Sequence, residues 1–322
     1  MSELHKFLFD GLPVRGMLVR LTDSWQEILK RRETSGGYPV EVTHLLGEMT
    51  AAATLMQASI NFNGALVLQI FGDGPLKLAV AEVQADLSLR ATATVTGEIP
   101  RDSTLSALVN VNNKGRCAIT LDPKDKFPGQ QAYQGVVPLF GDAHEKIEKL
   151  SEVLEHYMLQ SEQLDTKLIL AADGNMAAGL LIQRLPVTGK GNLEGQRDSQ
   201  ANEDQIGENE DYKRIAMLAS TLKREELLTL DADLILRRLF WEEPHTRFEP
   251  LAPSFSCSCS RERVEGMLLS LGAEEVESII EEKGFVDVTC EFCGSRYEFD
   301  PIDSAQIFTH PVSQLPPSDT VQ

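Results

Sequence analysis

The chain has 322 residues, 42% of them hydrophobic and 25% charged, and its 30 basic against 49 acidic residues give a formal charge of -19. That length allows more than one domain and a sizeable core, while the charge repels polyanions such as nucleic acid and anionic lipid and favours basic or neutral partners. The opening MSELHKFLFDGLPV lacks signal-peptide architecture, because Lys6 and Asp10 break its apolar stretch, and the longest strongly apolar run, Gly64 to Phe71, is far short of the ~18 residues of a membrane helix.

A cytoplasmic protein that binds neither nucleic acid nor membrane is therefore expected, and there thiols stay reduced. Residues 1–186 read as a mixed α/β core domain. Leu45, Leu46, Met49, Ala52, Ala53 and Met56 recur at intervals of three and four, which predicts a buried helix over Val40 to Ile60. Alternation in NGALVLQIFGDGPLKLAVAEV predicts a β-hairpin turning at Gly72-Asp73-Gly74-Pro75. Further strands are expected at Ala91 to Glu98, Arg116 to Leu121, Thr166 to Ala172 and Gly179 to Leu185, with an amphipathic helix over His144 to Gln160. This order of elements is α+β rather than a regular βαβ alternation.

Residues 187–250 form an acidic loop and a metastable helical linker. Between Glu194 and Asp211 seven acids face one base, Arg197, a composition that predicts disorder. After it, apolar residues from Ile215 to Trp241 fall at helical spacing, with Leu234, Ile235 and Leu239 on one expected face. Helices this short are marginal in water and need a surface to dock on. Residues 251–310 are expected to form a small zinc-binding domain, and 311–322 a flexible tail.

Four of the five cysteines lie in that last domain, as Cys257-x-Cys259 and Cys290-x-x-Cys293. Two close pairs about thirty residues apart supply two thiolates each to a tetrahedral Zn2+ site, one ion per chain. A helix is predicted over Glu274 to Glu282 and a hairpin over Val286 to Tyr297, with Cys-Glu-Phe-Cys-Gly at its turn. Residues 255–300 hold eleven acids against four bases, so a nucleic-acid-reading zinc ribbon fits poorly. Spacing alone is met by a purely structural zinc staple. A redox switch is the alternative: structural zinc contributes ~10 to 16 kcal/mol in zinc-finger peptides, so oxidising its thiolates would unfold the domain.

Cys117, in the strand-like GRCAITL, reads as a small buried hydrophobe. His5, His44, His144, His156, His245 and His310 form no constellation, since four thiolates complete a tetrahedral site. No phosphate-binding loop, G-x-S-x-G elbow or H-E-x-x-H helix occurs, and no enzyme is expected. The lone catalytic alternative is a thiol oxidoreductase using Cys290 and Cys293, which lacks the βαβ setting such motifs occupy.

CSCSRERVEGML with VTCEFCGSRYEF, preceded by EELLTLDADLILRRLFWEE, resembles the thirty-three-kilodalton heat-shock protein family, bacterial redox-regulated holdase chaperones. FLFDGLPVRGMLVRL, YPVEVTHLLGEMTAAATLM, FGDGPLKLAVAEV and AYQGVVPLFGD are similar to that family's core stretches, in the same order. The acidic stretch Gly189 to Asp211 departs from the family in its length. The resemblance implies zinc held by Cys257, Cys259, Cys290 and Cys293 when reduced, with Cys257–Cys259 and Cys290–Cys293 disulfides when oxidised. It also implies ATP-independent binding of unfolding client proteins by an active homodimer.

Overall fold

The structure, a computed structural model, describes residues 1–33, 36–125, 130–141, 143–185 and 209–309. Most of the acidic segment, the tail from 311 and His310 lie outside the described residues. In chain order, β1 (Glu3–Phe9) and β2 (Val14–Leu21) precede α1 (Asp23–Glu33), α2 (Val40–Ser59), β3 (Gly64–Phe71), β4 (Leu76–Gln84) and β5 (Ser88–Val95). Then come α3 (Leu105–Val109), β6 (Arg116–Pro123), β7 (Tyr133–Pro138), α4 (Leu150–Gln160), β8 (Thr166–Ala172) and β9 (Ala177–Arg184). After the acidic segment follow α5 (Glu210–Ser220), α6 (Arg224–Thr229), α7 (Ala232–Phe240), β10 (His245–Arg247) and β11 (Ser254–Phe255). The cysteine region adds α8 (Arg261–Leu271), α9 (Ala273–Lys283), β12 (Val286–Thr289), β13 (Arg296–Phe299) and α10 (Pro301–Thr309).

These elements make an α+β fold of two compact units, Met1–Ser256 and Cys257 onward. In the first, one sheet runs β10-β1-β2-β9-β8 and a second runs β11-β5-β4-β3-β6-β7. Helix α2 is buried between them, which explains its apolar character on nearly every side. Thr50 and Thr54, fully buried within it, donate their hydroxyls to the carbonyls of Leu46 and Thr50 at 2.7 Å each, so neither polar group is left unpaired.

The first sheet is covered on both faces, and its period-two alternation sorts the side chains. Leu4, Met17, Val19, Leu21, Leu168 and Leu181 join the core around α2. Phe7, Phe9, Val14, Leu18, Leu180 and Ile182 point the other way and receive Tyr212, Ile215, Leu227, Ile235, Leu236, Leu239 and Phe240 from α5, α6 and α7. The docking surface that the short helices require is thus the outer face of this sheet. Phe7 lies across Gly16, its paired residue, where any Cβ would come within 2.1 Å of the ring. Its ring and that of Phe9 meet Phe240 at centroid distances of 6.0 and 5.0 Å.

The expected division differs from the observed one at its edges. Residues 209–256 belong to the first unit rather than standing apart from it. From β10 to β11 the chain runs as a strap along both sheets: β10 pairs with β1, Leu4 and Leu251 exchange backbone hydrogen bonds of 2.8 and 2.9 Å, and Ser254 and Ser256 donate to Leu87 and Leu89. Two element expectations are corrected. The helix anticipated over His144 to Gln160 begins only at Leu150. His144 adopts a left-handed φ of 59° inside a turn closed by Phe140 and Lys146, while Ile147 is buried from outside the helix and so extends its apparent period. On α7, Ile235 and Leu239 are buried as expected, but Leu234 is 50% exposed, and Leu236 takes the buried place instead.

Candidate metal centre

The second unit has a small core of Val264, Leu268, Val276, Val286, Phe299 and Ile307. Its four cysteines come from two places. Cys257 and Cys259 precede α8, whose N-cap is Ser260, accepting from the Arg263 N–H at 3.3 Å. The Arg263 guanidinium reaches back to the Ser258 carbonyl at 3.1 Å and hydroxyl at 2.6 Å, which fixes the residue between the two cysteines. Cys290 and Cys293 occupy the tip of the β12–β13 hairpin. There Cys290 N–H donates to Ser295 O at 2.9 Å and Gly294 N–H to Cys290 O at 2.8 Å. Gly294 has a φ of 69°, a conformation that glycine adopts without a side-chain clash.

These two segments bring all four Sγ atoms within 4.8 Å of one another. The Cys257–Cys290 and Cys259–Cys293 sulfurs are 3.7 and 3.2 Å apart. A tetrahedron of sulfurs at the ~2.3 Å Zn–S bond length has edges of about 3.8 Å. The donor set therefore suits a soft or borderline divalent cation of that size and geometry. Neighbouring groups treat the sulfurs unequally. Burial, with the charge of Cys257, pushes Cys290 up to about 12. Burial acts on Cys293 in the same direction, but hydrogen bonds from the Ser295 side chain and backbone outweigh it and bring that thiol down to about 6. Cys259 is raised by burial, against a hydrogen bond from Tyr297. Four thiolates so crowded repel one another, and a bound cation is what would let them all ionise.

Cys117 lies apart, fully buried in β6 with its thiol pushed up to about 12 by burial, which makes it unreactive. His245 packs between Phe7, Phe9 and Phe240 and lies 2.9 Å from the Glu243 carbonyl through Nδ1, a structural position. Among the described residues the four cysteines are the one cluster of three or more His, Cys, Asp or Glu able to hold a metal ion. No described helix is long and apolar enough to cross a membrane. Reading by spacing found the four sulfurs but not Ser295 and Tyr297, whose hydroxyls lie 3.2 Å from Cys293 and Cys259 Sγ, or Arg263, which holds Ser258 between the first two cysteines. The alternation of Arg296, Tyr297, Glu298 and Phe299 does place Tyr297 on the inward side of its strand.

Comparison with known proteins agrees with this architecture. The family model described as Hsp33 protein matches residues 2–300. The 33 kDa chaperonin of Chromobacterium violaceum is 46% identical over 312 residues, covering 97% of this chain and 95% of that protein. That of Methylobacillus flagellatus is 41% identical over 309 residues, with coverages of 96% and 94%. The crystal structure of the 33 kDa chaperonin (heat shock protein 33 homolog) of Thermotoga maritima shares the fold, with a TM-score of 0.73, 21% identity and coverage of 96% and 98%. With motifs, fold and relatives in agreement over nearly its whole length, the chain belongs to the Hsp33 family.

Proposed function

We propose that this protein is an ATP-independent holdase chaperone switched by oxidation of its cysteine cluster. In the reduced state one Zn2+ is held by Cys257, Cys259, Cys290 and Cys293. Oxidation joins Cys257 to Cys259 and Cys290 to Cys293, the metal leaves, and the second unit loses its fold. The helices α5 to α7 then detach from the outer face of the first sheet. The apolar surface so uncovered binds unfolding proteins and prevents their aggregation, in an active homodimer, in the cytoplasm, without catalysis and without nucleic acid or membrane as partners. The observation that carries this reading is the meeting of four sulfurs within 4.8 Å in a unit whose core is six buried hydrophobic residues. So small a core depends on its staple, because structural zinc contributes ~10 to 16 kcal/mol where a whole domain has only ~5 to 15.

The test measures zinc content, free thiols and suppression of client aggregation in one preparation before and after peroxide. The reading requires one zinc per chain and no suppression before, and no zinc and full suppression after. Equal suppression in both states would leave a constitutive zinc-stapled interaction module, and turnover in an insulin-reduction assay would make Cys290 and Cys293 an oxidoreductase pair.

A further inference from the structure

Tyr297 is attached at both ends. Its ring packs against the core of the second unit, opposite its paired residue Val288, and its hydroxyl lies 3.2 Å from Cys259 Sγ. A phenol has one proton to give, and a thiolate is an acceptor. We propose that Tyr297 is a positioning residue for the cysteine cluster, whose hydroxyl donates to the Cys259 sulfur and slows attack by peroxide on the metal-bound thiolates.

The chemistry follows from the charge on sulfur. In the first step a thiolate gives an electron pair to a peroxide oxygen: an S–O bond forms, the O–O bond breaks and hydroxide leaves, producing a sulfenic acid. A second thiolate then attacks that sulfur, forming S–S as S–O breaks and a second hydroxide departs, so two thiolates and one peroxide give one disulfide and two hydroxides. A hydrogen bond to the attacking sulfur draws charge from it and lowers its nucleophilicity, as a lower thiol pKa does. The same bond orients the ligand, and groups in this position typically contribute ~10- to 100-fold to metal affinity. Ser295, 3.2 Å from Cys293 Sγ, has the same relation to a sulfur of the other pair, but it carries no ring into the core. Tyr297 is thus the link through which the packing of the hairpin and the reactivity of the cluster influence each other.

The inference rests on the metal centre proposed above, and the experiment separates the two. Tyr297→Phe keeps the ring and removes the hydroxyl, while Val288→Ala loosens the ring and keeps the hydroxyl. Zinc release by peroxide is followed with a chromogenic chelator, and the thiolate-to-metal charge-transfer band is recorded after Co2+ replaces zinc. The expected result for Tyr297→Phe is release about tenfold faster, with the cobalt band moved to lower energy and the melting temperature little changed. Val288→Ala should leave the band in place. Wild-type release and an unshifted band in Tyr297→Phe would overturn the inference while leaving the metal centre standing. Equal acceleration and equal band shifts in both variants would assign the effect to packing, and complete loss of metal in Tyr297→Phe would assign it to folding; either overturns it. A reduced wild-type chain without zinc would remove the proposed function and this inference together.

Discussion

Detaching α7 without touching the cysteines tests whether the docked helices restrain activity. Ile235 is 0% and Leu239 4% exposed, on the face of α7 that meets the outer side of the first sheet. Truncating one such residue to alanine costs ~2 to 5 kcal/mol, and two neighbours one turn apart together cost about 4 kcal/mol or more even where their effects overlap. Leu236 and Phe240 remain buried in the variant, and the polar contacts that hold α7 beside them are weaker. The ion pairs Arg238–Glu226 (2.8 Å) and Arg247–Asp233 (2.6 Å) are solvent-exposed and contribute ~0 to 1 kcal/mol each. The Asp231 cap on the Leu234 N–H adds about 1 kcal/mol. The core around α2 lies on the opposite face of the sheet and does not include these residues, so the loss stays local. Ile235→Ala with Leu239→Ala should therefore open α5 to α7 to protease and suppress aggregation of a heat-unfolded client under reducing conditions. Leu234→Ala, at a half-exposed position, should do neither. Zinc must be assayed in the same samples, because its loss would give activity by another route. A double variant that is cut within α5 to α7, retains its zinc and stays inactive until oxidised would refute the idea that these helices are the restraint.

Peptide mapping after peroxide should find Cys257 joined to Cys259 and Cys290 to Cys293. Although sulfur contacts of 3.7 and 3.2 Å run between the pairs, once the unit unfolds, closing a loop of about thirty residues costs about 2 kcal/mol more than closing a short one; mainly crossed disulfides would contradict this. Glu48, 3.8 Å from Arg224 at the start of α6, is pushed up to about 7 by burial, which outweighs the attraction of that arginine. Folded Glu48 therefore binds its proton more tightly than unfolded Glu48, so its contribution is greatest below about pH 4.5 and falls by up to about 3 kcal/mol as pH rises to about 7. Glu48→Gln should remove that fall in urea titrations across this range. His44, lowered first by burial, is present in both proteins and cancels in the difference; parallel curves would exclude Glu48 as the titrating group. Gly16→Ala should cost about 1 to 3 kcal/mol by calorimetry, because its Cβ would meet Phe7 at 2.1 Å and force the ring from its place against Phe240; an unchanged melting temperature would contradict that packing.

How much of this was legible before the fold depended on whether the signal was local. The apolar run of α2 and the Gly72-Asp73-Gly74-Pro75 turn announce themselves, as does the spacing of the four cysteines, because each is set within a few residues. The phase of α7 is not local. Leu234, Ile235 and Leu236 are consecutive and any of them could face inward, and the choice is made by Phe7 and Phe9, more than two hundred residues earlier, meeting Phe240. Strands β10 and β11, three and two residues long, are too short to show a period, and they form because β1 and β5 offer edges to pair with. Helix α8 went unread because Gly266 and Ser270 interrupt its pattern, although Ser260 supplies a usable cap signal. The hydroxyl of Tyr297 could not be assigned to a sulfur from spacing, since its partner Cys259 is 38 positions away.

The strap from His245 to Ser256 also bears on self-association. A sheet edge with unpaired N–H and C=O groups is a template for any extended chain, including a second copy of the protein or a misfolded one. Here β10 occupies the outer edge of β1 and β11 that of β5, and Pro244, Pro250 and Pro253, which lack an N–H, spoil the strap as a continuous template. The residue that follows the strap is Cys257. Unfolding that begins at the cysteines and travels back along the chain would meet Ser256 and Ser254 first, and would open the edge of β5 and then that of β1 while the core around α2 is still intact. Amide exchange should then lose protection at Leu87 to Val95 before Glu3 to Phe9, and a peptide of strand-forming sequence should bind at those edges through its backbone.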